Sequence, residues 1–593
     1  MPKNETLDTK RHSLAHIMAA SILEMFPEAK FGVGPVIEDG FFYDVHLNRA
    51  LTPDDLQDIE KRMREKVKQN LRFERLEMPL NSAIHLFGDM SQNFKVELLH
   101  DLKSRGTTAV ADLGDANLVG GNVNEVSVYK TGDFTDLCRG PHVNETREID
   151  PDSFRLTRVS GAYWRGNQER EQMQRVYGVA FDTKQQLEEY FVRLEEAKKR
   201  DHRRLGRELG LFMFHPWAPG AAFWLPKGTT LYNTLGNYMR EVLFAAGYVE
   251  VKTPLIFNKA LWETSGHWSH YRQNMFQIAS EHEQMAVKAM NCPGHYLLFA
   301  SEVRSYRDLP IRFHEQTPLH RNEASGVLSG LTRVRQFSQD DAHCFVMPDQ
   351  IGQEVERLLG ILRRVYDDFG LPFELKLGTR PPEFLGEIET WNEAEAQLKE
   401  TLDRAGIPYE LNEGDGAFYG PKIDIYVTDA IGRKWQCATI QLDYMMPERF
   451  DLKYIGADNA EHRVVVIHRA IFGSFERFLA ILIEHYAGAF PIWLAPVQAM
   501  LIPIADRHAV YCSQVKDRLT AAGLRAEIDM SVERMNAKIR NAQMQKIPYM
   551  LVVGDREQEQ GAVAVRLRSG EDLKTKSVEE FIAIAKDAIT TKK

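Results

Sequence analysis

The 593-residue sequence predicts a multidomain chain that combines α+β and α/β units, and three observations carry that expectation. At roughly 100–200 residues per domain, the length implies three or four compact units. A long, densely charged helical stretch at 183–209 separates a mixed α/β N-terminal region from an aromatic- and proline-rich block that ends near 490. From Pro491 onward strand-like and helix-like segments alternate, the order expected of a small α/β domain with a largely parallel sheet.

Each element has a local reason. In the charged stretch, Leu187, Phe191, Leu194 and Ala197 are spaced for one apolar helix face among Glu, Lys and Arg. In the central block, 463–467 reads as a strand and 474–485 as a helix. In the last region, strands are predicted at 497–502, 525–529 and 549–553, with helices ending near 522 and starting near 533. The final helix opens at Ser577-Val-Glu-Glu580, a capping box in which hydroxyl and carboxylate satisfy free amides at the helix start.

Composition excludes several classes. With 44% apolar and 27% charged residues, the chain is an ordinary globular protein rather than a disordered or fibrous one. Its longest apolar stretch, 478–505, is broken by Glu484, His485, Pro491 and Pro496 and cannot supply the ~20 uninterrupted residues of a membrane helix. The polar start, MPKNETLDTKRHS, has no apolar signal core, so a cytoplasmic setting is expected. Five dispersed cysteines, Cys138, Cys292, Cys344, Cys437 and Cys512, form no C-x-x-C pair, which points to reduced thiols or isolated ligands rather than a disulfide framework. A net charge of −10 is unfavourable for a nucleic-acid partner, but the charge is uneven. Residues 491–593 hold 16 Lys and Arg against 13 Asp and Glu, and Lys198-Lys-Arg-Asp-His-Arg-Arg204 is a basic run.

The densest polar string is His320-Arg-Asn-Glu323 followed by Gly330-Leu-Thr-Arg-Val-Arg-Gln-Phe-Ser-Gln-Asp-Asp-Ala-His343. Arginine offers a planar fork to phosphate oxygens, and Phe337 offers a face to a purine. A second string, His468-Arg-Ala-Ile-Phe-Gly-Ser-Phe-Glu-Arg477, puts another Arg at the start of an apolar helix. Taken singly, each also reads as a salt-bridged surface segment. In order along the chain, however, Pro254 in Gly247-Tyr-Val-Glu-Val-Lys-Thr-Pro254, the Arg-x-Glu of 321–323 and the Gly-x-x-Glu-Arg ending at Arg477 resemble motifs one, two and three of class II aminoacyl-tRNA synthetases. Within that class, Met290-Asn-Cys-Pro-Gly-His295, Gln339-Asp-Asp-Ala-His343, Gly416-Ala-Phe-Tyr-Gly-Pro-Lys422 and Val466-Ile-His-Arg-Ala470 resemble the threonyl-tRNA synthetases, across essentially the whole chain.

That resemblance implies an editing domain at 1–183, a linker helix at 184–205, a catalytic domain with an antiparallel sheet at 206–490 and an anticodon-binding domain at 491–593. It implies one zinc per chain on Cys292, His343 and His468. Their separations of 51 and 125 residues fit no short zinc motif and do not reveal a site by themselves. It further implies that Asp341, Tyr419, Lys422, Gln441 and Ser474 bind threonine. Arg321, Glu323, Arg333, Phe337 and Arg477 would bind ATP with Mg2+, and Arg321, Gln339 and Arg477 would act in catalysis. The partners implied are tRNA(Thr), ATP, L-threonine and a second copy in a homodimer. Physical selectivity supports the scheme. An apolar pocket rejects an isostere only ~100-fold, whereas a metal that ligates a hydroxyl excludes valine; serine, which lacks only a methyl, still requires a hydrolytic sieve.

The N-terminal region holds residues suited to that sieve. His12-Ser-Leu-Ala-His16 puts two imidazoles on one helix face, and Asp136-Leu-Cys138-Arg-Gly-Pro-His142 adds a carboxylate, a thiol and a third imidazole. Chemistry alone allows a second zinc or a set of hydrogen-bonded histidines. The similarity to bacterial editing domains, extended by Ser160-Gly-Ala-Tyr-Trp-Arg165, implies metal-free hydrolysis of Ser-tRNA at His12, His16, Lys95, Asp136, Cys138 and His142. Three departures from the family pattern stand out: a longer stretch between Lys95 and Cys138 around 114–123, no ubiquitin-like domain ahead of the editing motif, and Val532 where Asn is expected. Glu557 and Arg566 match anticodon contacts. A catalytically reduced RNA-binding paralogue, a synthetase for another amino acid and a drug-tolerant duplicate remain as rival identities.

Overall fold

The computed structural model describes residues 5–106, 124–279 and 283–592, and the chain divides into two compact units between Glu195 and Glu196. The extra length expected at 114–123 lies outside the described residues.

In the first unit, the helix Glu5–Met25 packs Leu14, Ile17, Met18 and Ile22 against an antiparallel sheet whose ordered strands are Lys30–Phe31, Gly40–His46, Gln172–Ala180 and Phe154–Tyr163. The helix Pro53–Lys68 adds Ile59, Met63 and Val67 to the same core. It starts where Thr52 and Asp55 form a reciprocal capping box and Pro53 presets the first helical φ. A second antiparallel sheet, Phe73–Pro79, Glu125–Thr131 and Phe134–Leu137, carries the helices Leu80–Asp89 and Asn93–Arg105.

The second unit is centred on an eight-stranded sheet in the order Val249–Glu250, Ile311–Glu315, Asp341–Val346, Val465–Ala470, Lys434–Asp443, Lys422–Thr428, Phe373–Gly378, Tyr409–Asn412. All internal pairings are antiparallel, and only the two edge pairings are parallel. One face supplies Ala342, Cys344, Val346, Ile423, Ile425, Ile440, Leu442 and Ile467 to a core shared with the helices Pro226–Ala245, Ile351–Phe369 and Phe475–His485. Each of the Val, Ile and Leu side chains among them contributes roughly 1.5–3 kcal/mol relative to exposure. Because strand side chains alternate, that burial forces the residues between them onto the opposite face.

Two expectations are corrected. The charged stretch is two helices, Lys184–Arg200 and His202–Glu208, because Asp201 leaves helical geometry and its carboxylate accepts the Arg203 amide as an N-cap. Of its intended apolar face only Leu187 is buried, while Leu194 is exposed. The C-terminal sheet, ordered Ala526–Ile528, Ala499–Pro503, Tyr549–Val553, Ala562–Leu567, Asp572–Ser577, is parallel in its first two pairings and antiparallel in its last two. Its final hairpin escaped the sequence analysis because the last strand, Asp-Leu-Lys-Thr-Lys-Ser, is polar at the sheet edge. The predicted capping box is present, with Ser577 Oγ accepting the Glu580 amide and Glu580 accepting the Ser577 amide.

Candidate functional site

Sheet register assembles the first site. His343 lies opposite His468, His468 opposite Gln441, and Gln441 opposite Lys422, so four polar side chains form one row across adjacent strands, on the face away from the core. Asp341, two residues before His343, shares that face. Cys292 is the first residue of the helix Cys292–Ala300, and its ligand atom and those of His343 and His468 all lie within 4.8 Å of one another, with all three residues buried.

The surroundings orient these groups. His343 Nε2 lies 3.0 Å from His468 Nδ1. The far nitrogen of His468, Nε2, meets Asp443 Oδ2 at 2.8 Å and the Tyr296 hydroxyl at 3.2 Å. His343 Nδ1 meets His295 Nδ1 at 2.8 Å, and His295 Nε2 meets Glu315 Oε2 at 3.2 Å. Glu315 in turn accepts from Lys288 at 3.1 Å and from the Thr253 amide at 2.7 Å. Burial, reinforced by His468 and His295, pushes the His343 pKa well below its ordinary value and keeps the imidazole a lone-pair donor. Burial also raises the Cys292 thiol, a penalty that a bound cation reverses by stabilising the thiolate. Two imidazoles, each backed by an outer hydrogen-bond partner, and one thiol make a donor set that fits zinc.

Around this triad, Asn291 Nδ2 donates to Asp341 Oδ2 at 2.9 Å, and burial raises the Asp341 pKa. The Tyr419 hydroxyl donates to Gln441, and its ring lies 5.2 Å from that of His468. Lys422 is 2.8 Å from Asp424 and 3.1 Å from Asp415. Gln339 Nε2 donates to Gly473 O at 2.7 Å, and Ser474 Oγ accepts the Arg477 amide at 3.1 Å, capping the helix Phe475–His485. The Arg321 guanidinium stands 5.0 Å over the Phe337 ring, so this buried ring already carries a cation on its face. Arg333 pairs with Glu323 at 2.9 Å. Arg477 Nε is buried without a hydrogen-bond partner among the described residues.

A second cluster forms in the first unit. Cys138 Sγ lies 3.3 Å from both His12 Nε2 and His142 Nε2. Pro141 O holds His12 Nδ1 at 3.2 Å, and Ser13 Oγ holds His142 Nδ1 at 3.2 Å. Beside it, Lys95 Nζ is 2.6 Å from Asp136 Oδ1, and Asp136 Oδ2 faces His16 Nε2 at 3.5 Å. The Tyr43 hydroxyl donates to Asp136 and accepts from Lys95 at 3.1 Å. All six residues named from the sequence therefore converge, Lys95 included. Burial lowers the His12, His16 and His142 pKa values and raises the Cys138 thiol to about 12. That thiol is protonated at neutral pH and is a poor nucleophile. His12, His16, Cys138 and His142 are also close enough to surround an ion.

In the C-terminal sheet, Arg566 is exposed, Glu557 accepts the Gly554 amide at 3.0 Å, and Val532 is fully exposed. Sequence reasoning missed Asn291, His295, Tyr296, Asp443 and Tyr43. Asn291 and His295 stand inside a quoted motif; Tyr296, the next residue, Asp443 and Tyr43 carry no local signal.

Residues 275–486 match the tRNA synthetase class II core domain (G, H, P, S and T), 498–588 an anticodon-binding domain, and 126–177 the threonyl and alanyl tRNA synthetase second additional domain. The chain is 51% identical to a threonine–tRNA ligase of Myxococcus xanthus, over 99% of this chain and 89% of the relative. It is 51% identical to one of Symbiobacterium thermophilum, over 98% and 86% respectively. Among solved structures, the RNA binding domain of a threonyl-tRNA synthetase from Cryptosporidium parvum aligns with a TM-score of 0.64 and 44% identity, over 65% of this chain and 98% of that one.

Proposed function

The chain belongs to the threonine–tRNA ligase family, and from that premise we propose how its own residues divide the work. The enzyme activates L-threonine with ATP, transfers it to tRNA(Thr) and removes mischarged serine by hydrolysis. The ATP-using core carries a Mg2+ requirement. A catalytically reduced paralogue finds no support in so extensive a match to ligases. Among the described residues no helix is long and apolar enough to cross a membrane.

In our reading, residues 1–183 edit, 184–205 link, 206–490 activate and transfer, and 491–593 read the anticodon through Glu557 and Arg566. The row His343–His468–Gln441–Lys422 supports the assignment, because register sets these four polar side chains beside one another on one face of the sheet. Cys292, His343 and His468 hold zinc; when bound, it supplies Lewis-acid recognition of the amino and hydroxyl groups of threonine, which valine cannot reproduce. Asp341, held by Asn291, accepts from the substrate ammonium, while Tyr419, Gln441 and Lys422 line the pocket and Ser474 orders its edge through the helix cap. Gln339 and Arg321 orient the carboxylate for attack on the α-phosphate. Arg321, fixed over Phe337, and Arg477, whose buried Nε has no hydrogen-bond partner among the described residues, counter the charge that develops there. Glu323, Arg333 and Phe337 complete the nucleotide site, with Arg333 exchanging Glu323 for phosphate. The terminal ribose hydroxyl of tRNA then attacks the adenylate.

In the first unit, Lys95 and Asp136 with His12, His16 and His142 position a water at the serine ester, and Cys138 remains a thiol. Dimerisation is supported by the short edge strand Val249–Glu250, whose Val249 is exposed, and by exposed Phe244 on the preceding helix; sedimentation of the purified chain tests it. The decisive experiment measures metal per chain together with threonine-dependent pyrophosphate exchange. One zinc, a strong preference for threonine over valine and a weak one over serine are expected; exchange that proceeds equally well with valine would remove the assignment.

A further inference from the structure

We propose that His202 is a positioning residue that locks the ATP-binding loop to the helix carrying Arg477; the inference rests on the assignment of Arg333 to nucleotide binding. His202 is buried and opens the helix His202–Glu208. The Leu331 amide donates to its Nε2 at 3.0 Å. An amide N–H cannot accept, so Nε2 bears the lone pair and Nδ1 the proton. Nδ1 in turn donates to Glu484 Oε1 at 2.6 Å, and the His202 amide donates to the same oxygen at 3.0 Å. Asp201, His202 and Glu484 are close enough to hold an ion, but both ring nitrogens are already engaged, so the group acts as a hydrogen-bonded bridge.

Each end of the bridge is anchored. Glu484 lies in the last turn of Phe475–His485 and is paired with Arg433, which also binds Asp429 at 2.7 Å. Arg200 donates to His485 O at 2.9 Å, closing the end of the same helix. On the loop side, the Leu331 side chain is fully buried, and the turn around it closes through Ser329 N to Arg333 O at 3.1 Å. Gly330 has φ +49, and a Cβ there would stand 2.2 Å from His202 Nε2, so the imidazole occupies the space that any other residue would need. Leu331 is two residues from Arg333. The imidazole therefore sets the backbone from which Arg333 reaches the nucleotide, and fixes it relative to Arg477 on the other side of the site.

The test is pyrophosphate exchange with ATP and threonine varied separately. His202→Leu should raise the ATP KM by about 10-fold and leave the threonine KM, bound metal and Ser-tRNA hydrolysis unchanged. His202→Gln, whose amide oxygen can accept the Leu331 amide, should restore most of the loss. Gly330→Ala, whose Cβ competes with the imidazole for the same space, should reproduce the ATP-selective defect, and it carries the test if His202→Leu does not fold. If Leu and Gln behaved alike, or if kcat fell with both KM values unmoved, the proposal would be overturned. An unchanged ATP KM in Arg333→Ala would overturn the nucleotide assignment beneath it. A raised value there with none in His202→Leu or Gly330→Ala would overturn the bridge alone.

Discussion

The triad of Cys292, His343 and His468 and the N-terminal group of His12, His16, Cys138 and His142 are built from the same two residue types, each compact enough to surround one ion. Their neighbours differ. Behind the triad stand Asp443 on His468 and the His295–Glu315 pair on His343, partners that turn imidazole lone pairs toward a common point. Beside the N-terminal group stands a buried Lys95–Asp136–Tyr43 set, which places a paired cation and carboxylate next to the imidazoles. The first surroundings suit holding a metal; the second suit moving protons. Similar donors are thus set in different electrostatic surroundings.

The comparison can be broken most directly at the triad. His343→Ala should strip the bound metal and lower threonine-dependent exchange by ~10³-fold or more, while Ser-tRNA hydrolysis by the same protein is retained; elemental analysis and the two assays check it. The reciprocal change, Asp136→Asn, should lower Ser-tRNA hydrolysis by about 10²–10⁴-fold with exchange and zinc intact. Loss of metal from that variant would show that the N-terminal group is a second metal site.

Two smaller effects sharpen the contrast. Asp443→Asn should weaken zinc by about 10–100-fold in competition with a chelator, because it removes the carboxylate behind His468. Cys138→Ser should keep hydrolysis within about 10-fold of the parent, since a thiol pushed up to about 12 serves as a hydrogen-bonding group; a loss as deep as that of Asp136→Asn would assign it a covalent role.

The gentlest test is acid. His12, His16 and His142 have pKa values below the ordinary 6.5 in the folded state, chiefly through burial. Their contribution to stability is therefore complete above pH 6.5 and is lost as pH falls below it, because the unfolded chain takes up protons that the folded one refuses. Each imidazole adds a slope of at most ~1.4 kcal/mol per pH unit. Denaturant melts of the first unit between pH 7.5 and 5 should show this fall, and His142→Asn should make it shallower. An unchanged slope would mean that these rings are accessible to protons in the folded protein.

Much of this was legible wherever the signal was local. The His12 and His16 pair is visible because four residues make about one helical turn, and the Ser577 cap because its partner is three residues away. Where the signal depended on one residue overriding its neighbours, prediction failed: Asp201 ends a helix that the charge pattern continues, and the hairpin after Val553 lies at a polar edge.

The sequence by itself determined the residue types, the order of the motifs and the period of each element, since these follow from steric and solvation preferences within a few residues. Only the tertiary structure decided that Cys292 meets two histidines 51 and 176 positions further along the chain, that Asp443 rather than another carboxylate stands behind His468, and that Lys95 pairs with Asp136. The physical reason is register. A one-residue slip in the Val465–Ala470 pairing would put Ile467 on the site face and His468 in the core, so the hydrophobic face, which has no chemistry of its own, sets where every reactive group lies.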